Sequence, residues 1–366
     1  MPGLTFDRER DHMRRVIAAA PLHGFAVPHL VIDNVFPDDL LARINENWPG
    51  PNSFQPEVPG NHIFQMYQRD YGRIAEPQQQ FWRAFNEVLW PSVIAATAEA
   101  LSAPALEVFG SLYRKHLSLD WPLTLMQADP TYPGHGMHTH FYHCPHWTFT
   151  MLLYVDPDDT YSRGTALNRV LPRDRSNRSK SSYSPDDLDW LVDVAMHNVP
   201  WEGAGDPDGV FRERVSDYKA NRLFVFLDGP LALHSVPFDN PDHTPNPGRA
   251  LNGGRNARRR VMRSHVKVDH MPFYAHHSQF LPEPLDPERY MRTLAHGATL
   301  SADDQRYRET VLRPFYRERL KAYARAADAA RAQSLAPSQR SSRLWERLVA
   351  RMHQGRLTAR LAQHVP

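Results

Sequence analysis

Cys144 is the single cysteine among 366 residues. No disulfide can close within such a chain, and sparse cysteine fits a reducing compartment. Excess charge is equally scarce, because 43 Lys and Arg nearly cancel 41 Asp and Glu and leave a net charge of +2. A dedicated nucleic-acid binder rests on a strong positive field, so that class is disfavoured. Long hydrophobic runs are missing too. The uncharged stretch of residues 134–155 carries five histidines, which a bilayer does not accept cheaply. The first 25 residues mix acids and bases around a short apolar run, unlike a secretory leader. The expectation is a cytoplasmic protein without a membrane or nucleic-acid partner. No internal repeat is visible.

What is abundant is proline, 32 residues against a usual share of about 5%, which favours strands and long loops over a helical bundle. Hydrophobic residues make up 41% and charged residues 23%, the balance of a globular chain. Residues 1–120 read as a mostly helical support region. Pro37-Asp38-Asp39 opens one helix, and PQQQFWRAFNEVLWPSVIAATAEAL spaces Phe81, Phe85, Val88 and Leu89 as a second. Residues 121–280 form the expected core, with WTFTMLLYVD, NRLFVFL and residues 261–268 as buried strands. Residues 172–217, polar and turn-rich, read as an insertion within it, a candidate lid over a substrate. Residues 281–366 read as a helical extension with a basic tail. Residues 331–366 hold seven arginines and one acid, with an apolar face of Leu344, Trp345, Leu348, Val349 and Met352 that suits docking on the protein's own core.

The chemistry concentrates in Gly134-His135-Gly136-Met137-His138-Thr139-His140. On a strand, residues i and i+2 share a face, so His138 and His140 can grip one metal ion together. In a chain of 20 histidines such a pair equally fits rings satisfied by backbone carbonyls. A third histidine, His234, follows the strand NRLFVFL just past the turn DGPLAL. A pair on one strand and a third ligand on a later one suits the mouth of a small β-barrel.

The run YPG, HTH, TFTMLLYVD, GT, NRLFVF, HSV and Arg, in that order, resembles the Fe(II)- and 2-oxoglutarate-dependent oxygenases of the prolyl-hydroxylase-like branch. The stretch Pro28-His29-Leu30-Val31-Ile32-Asp33-Asn34-Val35-Phe36 resembles the opening of many members, so the likeness covers roughly residues 25–270. It implies a double-stranded β-helix, a jelly-roll (cupin-like) barrel with flanking helices, of α+β class. It implies His138 and His234 as metal ligands, and Arg260, with Arg258 as fallback, as the partner of the remote carboxylate of 2-oxoglutarate. Tyr154 and Tyr132 fall where tyrosines reach that co-substrate.

The departure is His140, where the family has aspartate. Three outcomes stay open: His140 ligates and completes a three-histidine site, it swings away, or the site prefers zinc or copper. Ligation is the favoured reading. The resemblance thus implies an Fe(II)/2-oxoglutarate dioxygenase that uses O2 to oxidise, by default hydroxylate, a C–H bond of a small molecule. The alternatives are a three-histidine enzyme that does not use 2-oxoglutarate (an iron dioxygenase or zinc hydratase) and an inactive barrel serving as a binding module.

Overall fold

The computed structural model describes residues 6–24, 27–56, 63–110, 113, 117–128, 135–138, 147–156, 164–170, 210–216, 218–229, 232–236, 259–268, 289 and 299–333. In chain order the elements are α1 (Asp7–Ala19), β1 (His23–Gly24), β2 (Pro28–Ile32), α2 (Asp38–Glu46), β3 (Gln55–Pro56), β4 (Ile63–Met66), α3 (Glu76–Ala84), α4 (Trp90–Ala100) and α5 (Ser102–Phe109). There follow β5 (Leu117–Ala128), β6 (His135–His138), β7 (Trp147–Tyr154), β8 (Thr165–Val170), β9 (Val210–Ser216), β10 (Arg222–Leu227), β11 (Leu233–Val236), β12 (Arg260–Val268), α6 (Ala302–Tyr307) and α7 (Arg313–Gln333).

The strands make two antiparallel sheets. One has the order β1-β2-β10-β7-β12-β5-β4-β3, the other β6-β11-β8-β9. The apolar strand β7 lies between β10 and β12, so its backbone is satisfied on both edges. Residues 1–120 contribute four short strands as well as helices, and β2 and β4 extend the large sheet by pairing with β10 and β5. Residues 210–216, placed from sequence within the insertion, form β9 and pair with β8. Residues 171–209 and the basic tail beyond residue 333 lie outside the described residues.

Side-chain contacts define the layers. Trp90 of α4 donates its indole N–H to Ser264 Oγ of β12 at 2.7 Å, so one face of the large sheet meets the helices. Tyr154 of β7 donates to Thr165 Oγ1 of β8 at 2.9 Å, so the other face meets the small sheet. The helical layer is aromatic, with Phe81, Trp82, Phe85 and Trp90 buried side by side. Between α3 and α4 the chain makes a π-helical turn over Phe85–Leu89. Pro91 follows and has no N–H to continue an i to i−4 ladder, which accounts for the break in what the spacing predicts as one helix. At the other end, α7 packs on α5 through the fully buried Arg319, whose guanidinium lies 5.0 Å from the ring of Phe109.

No single described helix is long and apolar enough to cross a membrane. Residues 76–100 and α5 pass that test only as a pair bent by 73°, and the apolar side chains of that pair are largely buried in the core.

Candidate metal centre and its surroundings

β11 begins four residues after the turn at Gly229 and lies between β6 and β8. In the β6–β11 ladder His234 stands directly opposite His138. Residues opposite one another in an antiparallel ladder share a face, about 5 Å apart at Cβ. Two histidines nearly a hundred positions apart in sequence are thereby neighbours in the small sheet. His140, Tyr132 and Arg258 lie outside the described residues, as does the side chain of His138. Among the described residues no three His, Cys, Asp or Glu side chains converge as a metal site.

The side chain of His234 is buried and tilted against the ring of Phe226, 4.7 Å between centroids. Its Nδ1 lies 2.9 Å from the carbonyl oxygen of Ala232. A carbonyl only accepts, so Nδ1 carries the proton and, in the neutral ring, Nε2 carries the lone pair. Backbone satisfaction and metal ligation, rival readings from sequence, here use different nitrogens of one ring.

Tyr154 closes β7 and is fully buried, with the ring of Tyr218 at 4.8 Å. Val261 stands opposite Tyr154 in the β7–β12 ladder. Odd-numbered residues of β12 around that point therefore share the face of Tyr154, and even-numbered ones face the helices. Arg260 follows the even set: its Nη1 lies 3.4 Å from Asn45 Oδ1 of α2, its Nε 3.8 Å from Asp156, and its guanidinium over Trp48. Arg259 belongs to the other. Its guanidinium is buried 5.7 Å from the centre of the Tyr154 ring and reaches Thr165 Oγ1 at 3.5 Å. The signal for Arg259 was the alternation itself, hidden because three arginines stand in a row at 258–260.

Further along the same face lie groups the sequence did not single out. His265 stands opposite Thr150, and Thr150 opposite Phe226, the residue packed on His234. Thr150 Oγ1 donates to Asp228 Oδ2 at 2.5 Å and lies 2.8 Å from His265 Nδ1. With the threonine proton given to Asp228, His265 Nδ1 is the donor in the second bond. Burial pushes the Asp228 carboxyl up to about 7, against the opposing effect of the Thr150 hydrogen bond. Burial, reinforced by the charge of Asp156, likewise raises the Tyr218 phenol far above its ordinary range.

No family model matches the chain, and no curated protein does. Solved structures do. The chain is similar to a Pseudomonas putida prolyl-4-hydroxylase, with a TM-score of 0.35 and 13% identity over 70% of this chain and 100% of the other. It is similar to EvdMO1, with a TM-score of 0.35 and 12% identity, over 70% of this chain and half of that one. HygX from Streptomyces hygroscopicus, solved with nickel and 2-oxoglutarate bound, matches with a TM-score of 0.33 and 11% identity over 66% of this chain and 83% of its own.

Proposed function

We propose that this chain is a non-haem Fe(II) oxygenase that uses 2-oxoglutarate and O2 to oxidise a C–H bond of a small molecule. The observation that carries the proposal is the His138–His234 pairing in the small sheet, across from the buried Tyr154–Arg259 pair in the large one. Strand order supports it: β5-β12-β7-β10 facing β6-β11-β8-β9 is how eight consecutive strands wind into a jelly roll.

The donor set fits the ion. His234 presents Nε2, with Nδ1 tied to Ala232 to fix the ring's tautomer, the arrangement typical of metal-bound histidine. His138 and His140 would complete a set of three imidazoles, a ligand type that suits iron as well as zinc and copper. Iron, when bound, supplies the oxygen chemistry; the chain's part is to bind, orient and exclude water. Arg259 takes the remote carboxylate of 2-oxoglutarate, for which its planar fork is matched. Tyr154, held by Thr165, lines the same end. Phe226 makes the wall beside His234 apolar and keeps water from it. Arg259 is preferred to Arg260 for this task because the Arg260 guanidinium lies on the helix side.

The test is an anaerobic titration with Fe(II) and then 2-oxoglutarate, read by the visible iron-to-ketoacid charge-transfer band. A band that forms with one equivalent of each supports the proposal. Iron binding without the band replaces it with a three-histidine enzyme that does not use 2-oxoglutarate. Failure to bind any divalent metal leaves a barrel that serves as a binding module.

A further inference from the structure

The β7–β12 ladder is closed beside Arg259 by a side chain. Val261 stands opposite Tyr154, which makes Arg260 and Val155 the next pair outward. Val155 donates its N–H to the Arg260 carbonyl at 3.2 Å, as a ladder requires. The return bond is replaced. The Arg260 N–H donates to the hydroxyl of Tyr218 at 3.3 Å, and the Val155 carbonyl accepts from Asn45 Nδ2 at 3.0 Å.

Tyr218 reaches this point from the segment between β9 and β10 and is buried. Its hydroxyl donates to the Arg260 carbonyl at 2.8 Å and accepts from the N–H of Asp156 at 3.0 Å as well as from that of Arg260. One proton and two lone pairs are thereby committed to main chain. Burial keeps the phenol protonated, so the donated bond persists. The Arg259 carbonyl accepts from the N–H of Ala128 at 2.8 Å. Both polar atoms of the peptide that joins Arg259 to Arg260 are therefore held, the carbonyl by β5 and the N–H by Tyr218. A one-residue slip here would turn Arg260 inward and Arg259 out. The Tyr218 ring also lies 4.8 Å from the ring of Tyr154, and the Arg259 guanidinium lies 5.7 Å from that same ring.

We infer that Tyr218 is a positioning residue for the co-substrate: its hydroxyl fixes the Arg259–Arg260 peptide and so aims the Arg259 guanidinium beside Tyr154, where the remote carboxylate binds. Tyr218 itself does not touch that ligand, because its hydroxyl is spent on the main chain. The inference rests on the oxygenase reading for the identity of the ligand, but not for the coupling of Tyr218 to Arg259.

The test compares 2-oxoglutarate with 2-oxobutanoate, which has the same keto-acid end and no remote carboxylate. Each is titrated anaerobically against the Fe(II)-loaded protein and read by the charge-transfer band. Tyr218→Phe keeps the ring and removes the three hydroxyl bonds. It should raise the 2-oxoglutarate concentration at half-formation of the band about tenfold. The values for 2-oxobutanoate and for Fe(II) itself should move by less than about twofold. In an Arg259→Met background the same substitution should move the 2-oxoglutarate value by less than about twofold, since the guanidinium it positions is gone. Equal weakening of both keto acids is what a merely structural tyrosine would give, and it overturns the inference. So does an unchanged 2-oxoglutarate value, or a full effect that persists with Arg259→Met. A wild-type protein that binds iron and forms no band defeats the oxygenase reading alone. The coupling is then read in metal-free protein, where Tyr218→Phe and Arg259→Met together should lower the melting temperature by less than the sum of their separate shifts. Additive shifts overturn it. Should Tyr218→Phe fail to fold, residue-resolved amide exchange of the wild-type protein takes its place. The Arg260 N–H should be protected as well as those of Val261 and Met262, and exchange at the rate of an exposed amide overturns the inference.

Discussion

Tyr323 of α7 donates its hydroxyl to the main-chain carbonyl of Asp228, and its ring occupies the space that a Cβ at Gly229 would need. The turn that launches the strand of His234 is thus clamped by a helix residue more than ninety positions later in sequence.

Gly229→Ala should therefore overpack a site with no slack, because the Tyr323 ring is fully buried. The expected loss is about 1–3 kcal/mol, measured by urea unfolding. Combining it with Tyr323→Leu should give less than the sum of the two single losses. Additive losses would mean that the ring and the glycine do not compete for the same space.

The arginine assignment separates cleanly. A charge-assisted hydrogen bond contributes about 1.5–3 kcal/mol, so Arg259→Met should raise the 2-oxoglutarate concentration needed for the charge-transfer band by about 10- to 100-fold. Arg260→Met should change it by less than about twofold. The opposite ranking would return the role to Arg260.

Asp228 makes stability fall with rising pH. Its carboxyl is held at about 7 in the folded chain against an ordinary 3.8. Between those values the folded state binds this proton more tightly than the unfolded state does. The contribution is most favourable below pH 4, declines through that window and is least favourable above pH 7. Asp228→Asn keeps an acceptor for Thr150 and removes the ionisation. In denaturant melts it should gain on wild type from pH 5 to pH 8, and a constant gap across that range would refute the assignment.

Asn221 sits at φ 62°, in the left-handed region, at the start of β10. Its Oδ1 accepts from the N–H of Phe36 at 2.9 Å, and its Nδ2 donates to the Phe36 carbonyl at 2.7 Å. Asn221→Ala loses both bonds and keeps an unfavourable backbone, a cost of about 2–4 kcal/mol. Asn221→Gly loses the bonds and relieves the backbone, so it should unfold at higher denaturant than the alanine variant. The reverse order would show that the backbone conformation is not under strain.

The strands most legible in sequence were those buried on both faces. WTFTMLLYVD and NRLFVFL are continuous apolar runs, and they became β7 and β10 with their ends displaced by a residue or two. Short edge strands such as Gln55–Pro56 carry no such run, because pairing on one side places little demand on composition. β9 was equally hard to see, since VFRERVS alternates with charge inside a polar stretch. At the candidate site, His138 and His234 stood out by residue type. The inward arginine did not, because identity alone cannot tell which member of Arg258-Arg259-Arg260 shares a face with Tyr154. That choice is made by the β7–β12 register. Asp228, Thr150 and His265 come from three separate segments, and only the folded ladders join them.

The eight-stranded sheet finishes at both ends on strands of two residues, His23–Gly24 at one edge and Gln55–Pro56 at the other. A neighbouring molecule that tried to extend the sheet would find almost no ladder to copy, and at Pro56 one donor fewer still. The long apolar strands that build the interior are all internal to this sheet, shielded by partners on each side. Strand-to-strand growth from the edges of this sheet, which such strands would otherwise invite, is in this way disfavoured in the folded chain.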